Sequence, residues 1–194
     1  MPEISTEPTP TAAALDWVPI PAEIARMGGS ALVAWARLAA AGTVDPYDPS
    51  RIISTVGLAD LDLSDTTARN AVHRLEATGL VIVDRAPGKA STYTLDRGDR
   101  WARIPVGLVD LDAGPMAAYC SLYLAGTFES AHRNTTVRRL AAWLGAGLRT
   151  VRRWISELVA SGAVKRRGDY RYDLPPPPPP PPGPPPGVGG PRSK

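Results

Sequence analysis

Cysteine is almost absent from this sequence, since Cys120 is the only one in 194 residues. A single cysteine excludes an intramolecular disulfide, and a chain without disulfides suits a reducing compartment. Cys120 lies among apolar residues of a predicted helix, where we expect a buried and unreactive thiol. We therefore predict a cytoplasmic protein.

Residues that commonly carry catalysis are also scarce. Histidine occurs twice, at His73 and His132, and neither has a structural reason to approach the thiol. The sequence contains no glycine-rich phosphate loop, no cluster of metal ligands and no nucleophile beside a base. Three aspartates cluster in a predicted turn, Asp60, Asp62 and Asp65, and we interpret them as charge patterning and not as catalytic carboxylates. We therefore predict that the protein is not an enzyme and has no catalytic residue, cofactor or metal ion.

Long hydrophobic runs are missing as well. The longest apolar stretch, residues 31–41, contains Arg37 and is far shorter than the roughly 20 residues that cross a bilayer. Residues 1–10 carry no basic residue and do not resemble a signal peptide. We expect no contact with a membrane and predict a disordered leader over residues 1–16.

Proline, in contrast, is abundant at the end of the chain. Residues 175–182 are an unbroken run of proline, followed by further Pro and Gly. Such a run forms a polyproline II helix that has no core to bury. The sequence therefore predicts a disordered polyproline tail over residues 175–194. Two interpretations stay open: a stiff spacer, or a docking strip for a proline-recognition partner with an aromatic groove.

An internal repeat organises the rest of the chain. At an offset of 84 residues Trp17 matches Trp101, and an Ile-Pro pair at 20–21 matches one at 104–105. The offset later becomes 83, where five residues match: Thr67, Arg69, Leu75, Gly79 and Val81 with Thr150, Arg152, Leu158, Gly162 and Val164. We therefore predict two copies of one unit, residues 17–96 and 97–174.

Each copy has the same predicted order of elements. A short extended segment leads into an apolar helix that ends at a glycine, Gly42 or Gly126; a second and a third helix follow, and the third again ends at a glycine. A β-hairpin closes the copy. In the first copy the predicted helices are residues 30–41, 52–61 and 65–78, and the hairpin has strands 81–83 and 92–95 with a turn at 87–88. In the second copy the predicted helices are residues 115–125, 136–144 and 148–161, and the hairpin has strands 164–166 and 170–174 with a turn at 168–169.

Local features in the second and third predicted helices support this prediction. Ser64 is placed to cap the first of them, whereas glycine occupies the equivalent position, 147, in the second copy. Ala59 and Ala141 are small enough to let neighbouring helices cross closely. Two apolar stripes are predicted to be core: Ala68, Ala71, Val72 and Leu75 in the first copy, and Val151, Trp154, Ile155, Leu158 and Val159 in the second.

These segments carry a family resemblance. Residues 58–81, LADLDLSDTTARNAVHRLEATGLV, and residues 140–164, LAAWLGAGLRTVRRWISELVASGAV, resemble the helix-turn-helix of bacterial winged-helix regulators, broadly in the style of the GntR and MarR families. The resemblance extends over residues 17–174. It implies a mainly α fold with small β-hairpin wings (α+β), arranged as two tandem winged-helix domains. The wider arrangement is also similar to regulatory and replication proteins of actinobacterial plasmids and phages.

The two copies differ in charge. Residues 17–96 carry seven basic and nine acidic residues, a net charge of −2, whereas residues 97–174 carry thirteen and seven, a net charge of +6. Because phosphate neutralisation dominates affinity for DNA, the second copy is the stronger candidate for DNA binding.

The candidate DNA-binding residues follow from this comparison. In the second copy, Arg149, Arg152 and Arg153 lie on the side of the third helix opposite the apolar stripe, where arginine can read guanine in the major groove. Arg149 and Arg153 are the base-reading candidates. Two further arginines, Arg138 and Arg139, flank this face on the second helix, and four basic residues line the wing: Lys165, Arg166, Arg167 and Arg171. Lys165, Arg166 and Arg167 are the phosphate-binding candidates. The corresponding face of the first copy is either a second DNA-binding face or an ordinary helix surface: Thr66, Arg69, Asn70 and His73.

The sequence thus predicts a protein that binds double-stranded DNA in a sequence-specific manner, either a transcriptional regulator or a replication or maintenance protein of a plasmid or phage. We expect such a protein to associate with the nucleoid. The alternative is an adaptor. In that case the acidic copy pairs with a second subunit, as in a homodimer, or with a replication or partition protein. The basic copy then only tethers the assembly to DNA without sequence preference.

Overall fold

The computed structural model of the chain describes residues 16–128, 136–167 and 171–174. Within these ranges the protein is mixed α and β, with six α-helices and eight β-strands. The predicted leader (except residue 16), the polyproline tail and the turn at 168–169 lie outside the described residues. In the described ranges, no helix is long and apolar enough to span a membrane.

The first copy contains an antiparallel four-stranded sheet with helices packed on one face. Its elements in chain order are β1 (Trp17–Pro21), α1 (Ala22–Met27), α2 (Gly29–Ala40), β2 (Thr43–Val44), β3 (Arg51–Val56), a single 3-10 turn (Leu58–Leu61), α3 (Asp65–Glu76), β4 (Val81–Asp84) and β5 (Ser91–Asp96). The strands of the sheet are arranged in the order β2–β3–β5–β4. Alternate residues of β3 and β5, such as Ile52 and Leu95, pair across the sheet and are buried beneath the helices.

The predicted second helix of the first copy is wrong. Residues 51–56 form strand β3, and only residues 58–61 are helical, as one 3-10 turn. The segment Ile-Ile-Ser-Thr-Val is rich in β-branched side chains, which favour strands, and it pairs with β5 along its whole length. Ala59 is exposed in this turn, so the predicted close helix crossing at this residue is also wrong.

Gly42 follows α2 as predicted, but for a different physical reason. Its φ is not positive, so it is not a left-handed helix stop. Instead, a Cβ at this position would overlap the Ile52 side chain and would lie 2.9 Å from the carbonyl oxygen of Ile53. The missing side chain therefore lets the end of α2 pass directly over β3.

Helix α3 begins as predicted. The Ser64 hydroxyl accepts a hydrogen bond from the Thr67 N–H at 3.3 Å, which satisfies one of the free donors at the helix start. The predicted stripe of Ala68, Ala71, Val72 and Leu75 is buried. Gly79 has a φ of +73° beyond the helix end, which confirms its predicted role.

The second copy follows a similar order, with helices α4 (Ala113–Phe128), α5 (Val137–Leu144) and α6 (Leu148–Ala160) and strands β6 (Trp101–Pro105), β7 (Lys165–Arg167) and β8 (Arg171–Asp173). Helix α4 continues through Gly126, so the predicted stop at this glycine is wrong. Gly162 has a φ of +76° after α6, as expected. In the predicted stripe of α6, Val151, Ile155 and Leu158 are buried, whereas Val159 is exposed.

The two copies are joined by a two-stranded antiparallel sheet of β1 and β6. Trp17 pairs with Pro105, the repeat equivalent of Pro21, and Pro21 pairs with Trp101, the equivalent of Trp17. At the centre, Pro19 pairs with its own equivalent, Arg103. Exchanging the two copies therefore reproduces the same strand pairing, so the pairing has an internal two-fold symmetry.

Side chains on the two faces of this sheet have different roles. On one face, the Trp17 and Trp101 rings stack with their centroids 5.2 Å apart, and the Arg103 guanidinium lies 4.8 and 5.2 Å from these centroids. On the other face, Val18 and Ile20, like their counterparts in β6, are fully buried. Offset stacking and cation–π contacts both stabilise such a cluster.

Helix α2 lies at the centre of the molecule. It is apolar on nearly all sides, and it packs against β1, α3 and α4. The Trp35 indole N–H donates a 2.7 Å hydrogen bond to the Pro19 carbonyl oxygen of β1. The buried residues of both copies form one continuous hydrophobic cluster. The copies thus share a core.

Candidate nucleic-acid interface

Helices α5 and α6 present the basic surface of the second copy. The Thr136 hydroxyl caps α5 by accepting a hydrogen bond from the Arg139 N–H at 3.2 Å. Gly145 ends α5 in the left-handed conformation, and Gly147 begins α6 without a side-chain cap, as the sequence predicts. The buried faces of both helices pack against each other and against α4, which leaves the opposite faces to solvent.

The outward face of α6 carries three basic side chains in two adjacent rows. Arg149, Arg152 and Arg153 are all exposed, opposite the buried stripe. Arg153 lies 3.5 Å from the Glu157 carboxylate one turn later, so part of its charge is offset. Arg149 lies on the same row as Arg153 but is nearer to the start of the helix. The three arginines therefore lie on the solvent-facing side of α6.

A groove runs beside α6, between this helix, the start of α5 and the β7–β8 hairpin. Its volume is about 900 Å³, and three arginines line it: Arg138, Arg152 and Arg166. Tyr172, which pairs with Arg166 across the hairpin, lines the same groove. Leu148 and Val159 lie among these polar groups and are exposed at 39% and 36%. The groove therefore combines positive charge with apolar surface.

The other candidates of the second copy lie elsewhere or are only partly described. Arg139, although adjacent to Arg138, lines a different pocket between α1, α4 and α5. Lys165 is exposed in β7 but does not line the groove. For Arg167 and Arg171 the structure gives only the backbone, which places them opposite each other in the hairpin. Three of the predicted basic residues thus line one groove, whereas Arg139 and Lys165 lie outside it.

The corresponding face of the first copy has a different electrostatic character. Thr66, Arg69, Asn70 and His73 are exposed on α3, as predicted. Arg69, however, donates a 2.9 Å hydrogen bond to the Asp65 carboxylate, and this bond raises the pKa of Arg69. The positive charge of Arg69 is therefore paired with a carboxylate of the same helix.

The three aspartates around this helix each have a structural partner. Asp60 accepts a 2.7 Å hydrogen bond from the Gly57 N–H and so caps the 3-10 turn. Asp62 forms a 3.2 Å ion pair with Arg37 of α2. Since Asp65 pairs with Arg69, the acidic group is accounted for by local structure.

The repeat relation shows how far the two surfaces have diverged. At an offset of 83, Thr66 and Asn70 of α3 stand where α6 has Arg149 and Arg153. In the hairpin, Ile82 stands where the second copy has Lys165, and Ile82 is 62% exposed. At these three positions the first copy therefore has neutral or apolar side chains where the second copy has basic ones.

Sequence reasoning missed the groove residue Tyr172, although strand alternation in the predicted hairpin could have placed it beside Arg166. It also missed Arg26 of α1, whose guanidinium lies 5.4 Å from the Trp143 ring centroid of α5. No local pattern signals this contact, because it joins residues of the two copies.

Other kinds of site find little support within the described ranges. In those ranges, no group of three or more His, Cys, Asp or Glu side chains is arranged to hold a metal ion. Cys120 is fully buried in α4, and this burial raises the pKa of its thiol well above the usual range. The thiol is therefore protonated and inaccessible at neutral pH.

Comparison of the chain with protein-family models, with curated proteins and with solved structures finds no significant match.

Proposed function

We propose that this protein is a sequence-specific binder of double-stranded DNA, built from two winged-helix units of which the second makes the principal contacts. In the first unit, helix α2, strand β3, helix α3 and the β4–β5 hairpin follow in the winged-helix order, with the strands adjacent as β3–β5–β4. In the second, three helices precede the β7–β8 hairpin. This order supports the resemblance noted from the sequence.

One observation carries the proposal. The groove between α5, α6 and the hairpin brings together Arg138, Arg152 and Arg166, which come from three separate elements. Arginine forms paired, directional hydrogen bonds with phosphate and with guanine. A recognition helix flanked by a basic wing has this distribution of charge.

Within this site we assign two kinds of contact. Arg149, near the start of α6, contacts base edges, and Arg153 assists it despite its neighbour Glu157. Arg138, Arg152 and Arg166 bind phosphates along the groove, with Arg139, Lys165, Arg167 and Arg171 as outlying positive charges. The resulting activity is transcriptional regulation, or replication or maintenance of a plasmid or phage.

A binding selection from a randomised duplex library with the full chain tests this function. We expect one enriched motif. Arg149→Ala should lose about 1–3 kcal/mol on that motif and relax the preference at one base pair. Arg166→Ala should weaken binding to all duplexes alike and lower the salt slope by roughly one. Arg51→Ala, on the opposite copy, serves as the matched control. Absence of duplex binding by the wild-type chain would refute the proposal.

A second function, that of an adaptor, is favoured by the exposed Ile82 and by the Asp65–Arg69 pair of the first copy. An apolar side chain at a wing position and a neutralised helix face suit contact with protein better than contact with DNA. Salt-sensitive duplex binding without any enriched motif in the same selection would favour this alternative.

A further inference from the structure

A pocket of about 190 Å³ lies where the two copies meet, and we call it the inter-repeat pocket. Its walls come from α1 of the first copy, from α4 and α5 of the second, and from Arg100 just before β6. The Arg100 carbonyl oxygen accepts a 2.8 Å hydrogen bond from the Ala22 N–H, which holds α1 against this segment. The pocket is therefore formed by both copies together.

The lining of this pocket has a distinct chemistry. Three arginines contribute to it, Arg26, Arg100 and Arg139, and no acidic residue is among the described residues that line it. Arg100 and Arg139 make further interactions of their own, whereas Arg26 lies over the Trp143 ring. Arg26 forms no ion pair among the described residues, so its guanidinium can attract and bind an anion that enters the cavity.

The rest of the lining is apolar except for Ser121, whose hydroxyl donates a hydrogen bond to the Ala117 carbonyl oxygen. Leu124 and Leu140 are almost fully buried, at 3% and 2% exposure, and Trp143 adds an aromatic surface. An apolar cavity of about 150 Å³ is large enough to hold benzene. The inter-repeat pocket thus has room for one ring and for an anionic group directed toward the arginines.

We propose that the inter-repeat pocket binds a small organic oxyanion, a carboxylate or a phosphate ester whose apolar part is the size of a single aromatic ring. The Arg26 guanidinium binds the oxyanion, and the leucines with Trp143 contact the ring. Binding at this pocket does not depend on the proposed DNA-binding function. It does connect with the candidate interface physically, because the adjacent residues Arg138 and Arg139 of α5 line the groove and the pocket respectively.

Titration calorimetry of the full chain without DNA tests this site. The probes are phenyl phosphate and benzoate, with inorganic phosphate and benzyl alcohol as comparators that carry only the anion or only the ring. We expect one equivalent of phenyl phosphate or benzoate to bind about tenfold more tightly than either comparator, since loss of a charge-assisted contact or of ring burial each costs this much. The tighter of the two probes identifies the preferred oxyanion.

Two variants locate the binding in the pocket. Arg26→Gln should weaken the tighter probe about tenfold or more. Ala125→Phe should block binding by filling the cavity while all three arginines remain. Arg51→Gln, which removes the same charge at a distant surface, should bind as the wild type does. The proposal is overturned if inorganic phosphate binds as tightly as phenyl phosphate, if no probe binds, or if Arg26→Gln and Ala125→Phe, with unchanged circular dichroism, bind as the wild type.

Discussion

Arg37 is the only charged residue of helix α2, and its contacts explain why a charge is tolerated there. Its guanidinium donates hydrogen bonds to the Leu61 and Asp62 carbonyl oxygens and pairs with the Asp62 carboxylate. Asp62 adopts a left-handed backbone with φ of +46° at the end of the 3-10 turn. Arg37 therefore holds the turn that leads into α3, by satisfying carbonyls that the turn leaves open.

We predict that Arg37→Met lowers the free energy of unfolding by about 1–3 kcal/mol, because the part-buried carbonyl of Leu61 loses its donor. Arg51→Met is the control, since the Arg51–Asp48 pair is exposed on both sides and should contribute less than about 1 kcal/mol. Urea unfolding of both variants measures the difference. Equal losses would show that the contacts of Arg37 add nothing beyond an ordinary surface ion pair.

Glu76 provides a pH-dependent contact at the end of α3. Its carboxylate accepts hydrogen bonds from Arg85 at 2.9 and 2.7 Å, and these bonds lower the pKa of Glu76 below its ordinary value of 4.5. A carboxyl group with a lowered pKa stabilises the fold above its unfolded pKa, and this contribution is lost as the pH falls through the folded pKa.

Accordingly, Glu76→Gln should be less stable than the wild type at pH 7, by less than about 1 kcal/mol because the arginine is largely exposed. The difference should shrink as the pH falls below 4.5. Thermal unfolding of both proteins between neutral and acidic pH gives the comparison. A difference that stays constant over this range would contradict the assignment.

Among the secondary-structure elements, those defined by local signals could be predicted from the sequence. The capping serine and the apolar stripe located α3, and the helix-ending glycine at 162 with its preceding stripe located α6. Helix α1 was missed because it has only six residues and no side-chain cap. The β1–β6 pairing was missed because two strands 84 residues apart in the chain carry no signal of their partnership.

The error at residues 52–61 has a more specific cause. The repeat predicts the same order of elements in both copies, yet the local side chains decide which secondary structure a segment forms. Ile52, Ile53, Thr55 and Val56 are β-branched, and the adjacent strand β5 offers them a complete set of backbone partners. The candidate groove escaped prediction for a related reason: the sequence located its arginines on separate elements, but only packing decides which of them face one another.

The close approach of α2 to β3 makes Gly42 a sensitive position. We predict that Gly42→Ala lowers the free energy of unfolding by about 1–3 kcal/mol, because the new methyl group overlaps Ile52 and forces the sheet to shift. Gly107→Ala is the matched control, since a Cβ at this position meets no atom within 4 Å and its φ is not positive. Chemical denaturation distinguishes them, and an unchanged stability of Gly42→Ala would refute the packing argument.

At the scale of the whole molecule, the shared core predicts how the chain unfolds. Because α2, α4 and the β1–β6 sheet join both copies in one buried cluster, neither copy retains its core when the other is lost. We predict a single cooperative unfolding transition, in which circular dichroism and tryptophan fluorescence change at the same denaturant concentration. Two separated transitions would show that the copies fold independently.

The same feature affects how the two copies can be studied. Removing residues 1–96 would expose Ile104 and the α4 surface that packs on α2, so truncated chains would confound loss of binding with loss of structure. Point variants on the exposed faces of α3 and α6 avoid this difficulty.

The internal two-fold symmetry of β1 and β6 has a consequence for how such a protein can change over evolutionary time. In a symmetric homodimer every substitution occurs twice, so a new charge appears on both binding faces at once. Here both halves are encoded in one chain, and a substitution alters one half alone. Lysine at 165 and isoleucine at 82 could therefore arise at equivalent positions without either constraining the other. When two halves are joined in one chain, the strand pairing between them is kept as in a dimer, while the binding surface of each half can change independently.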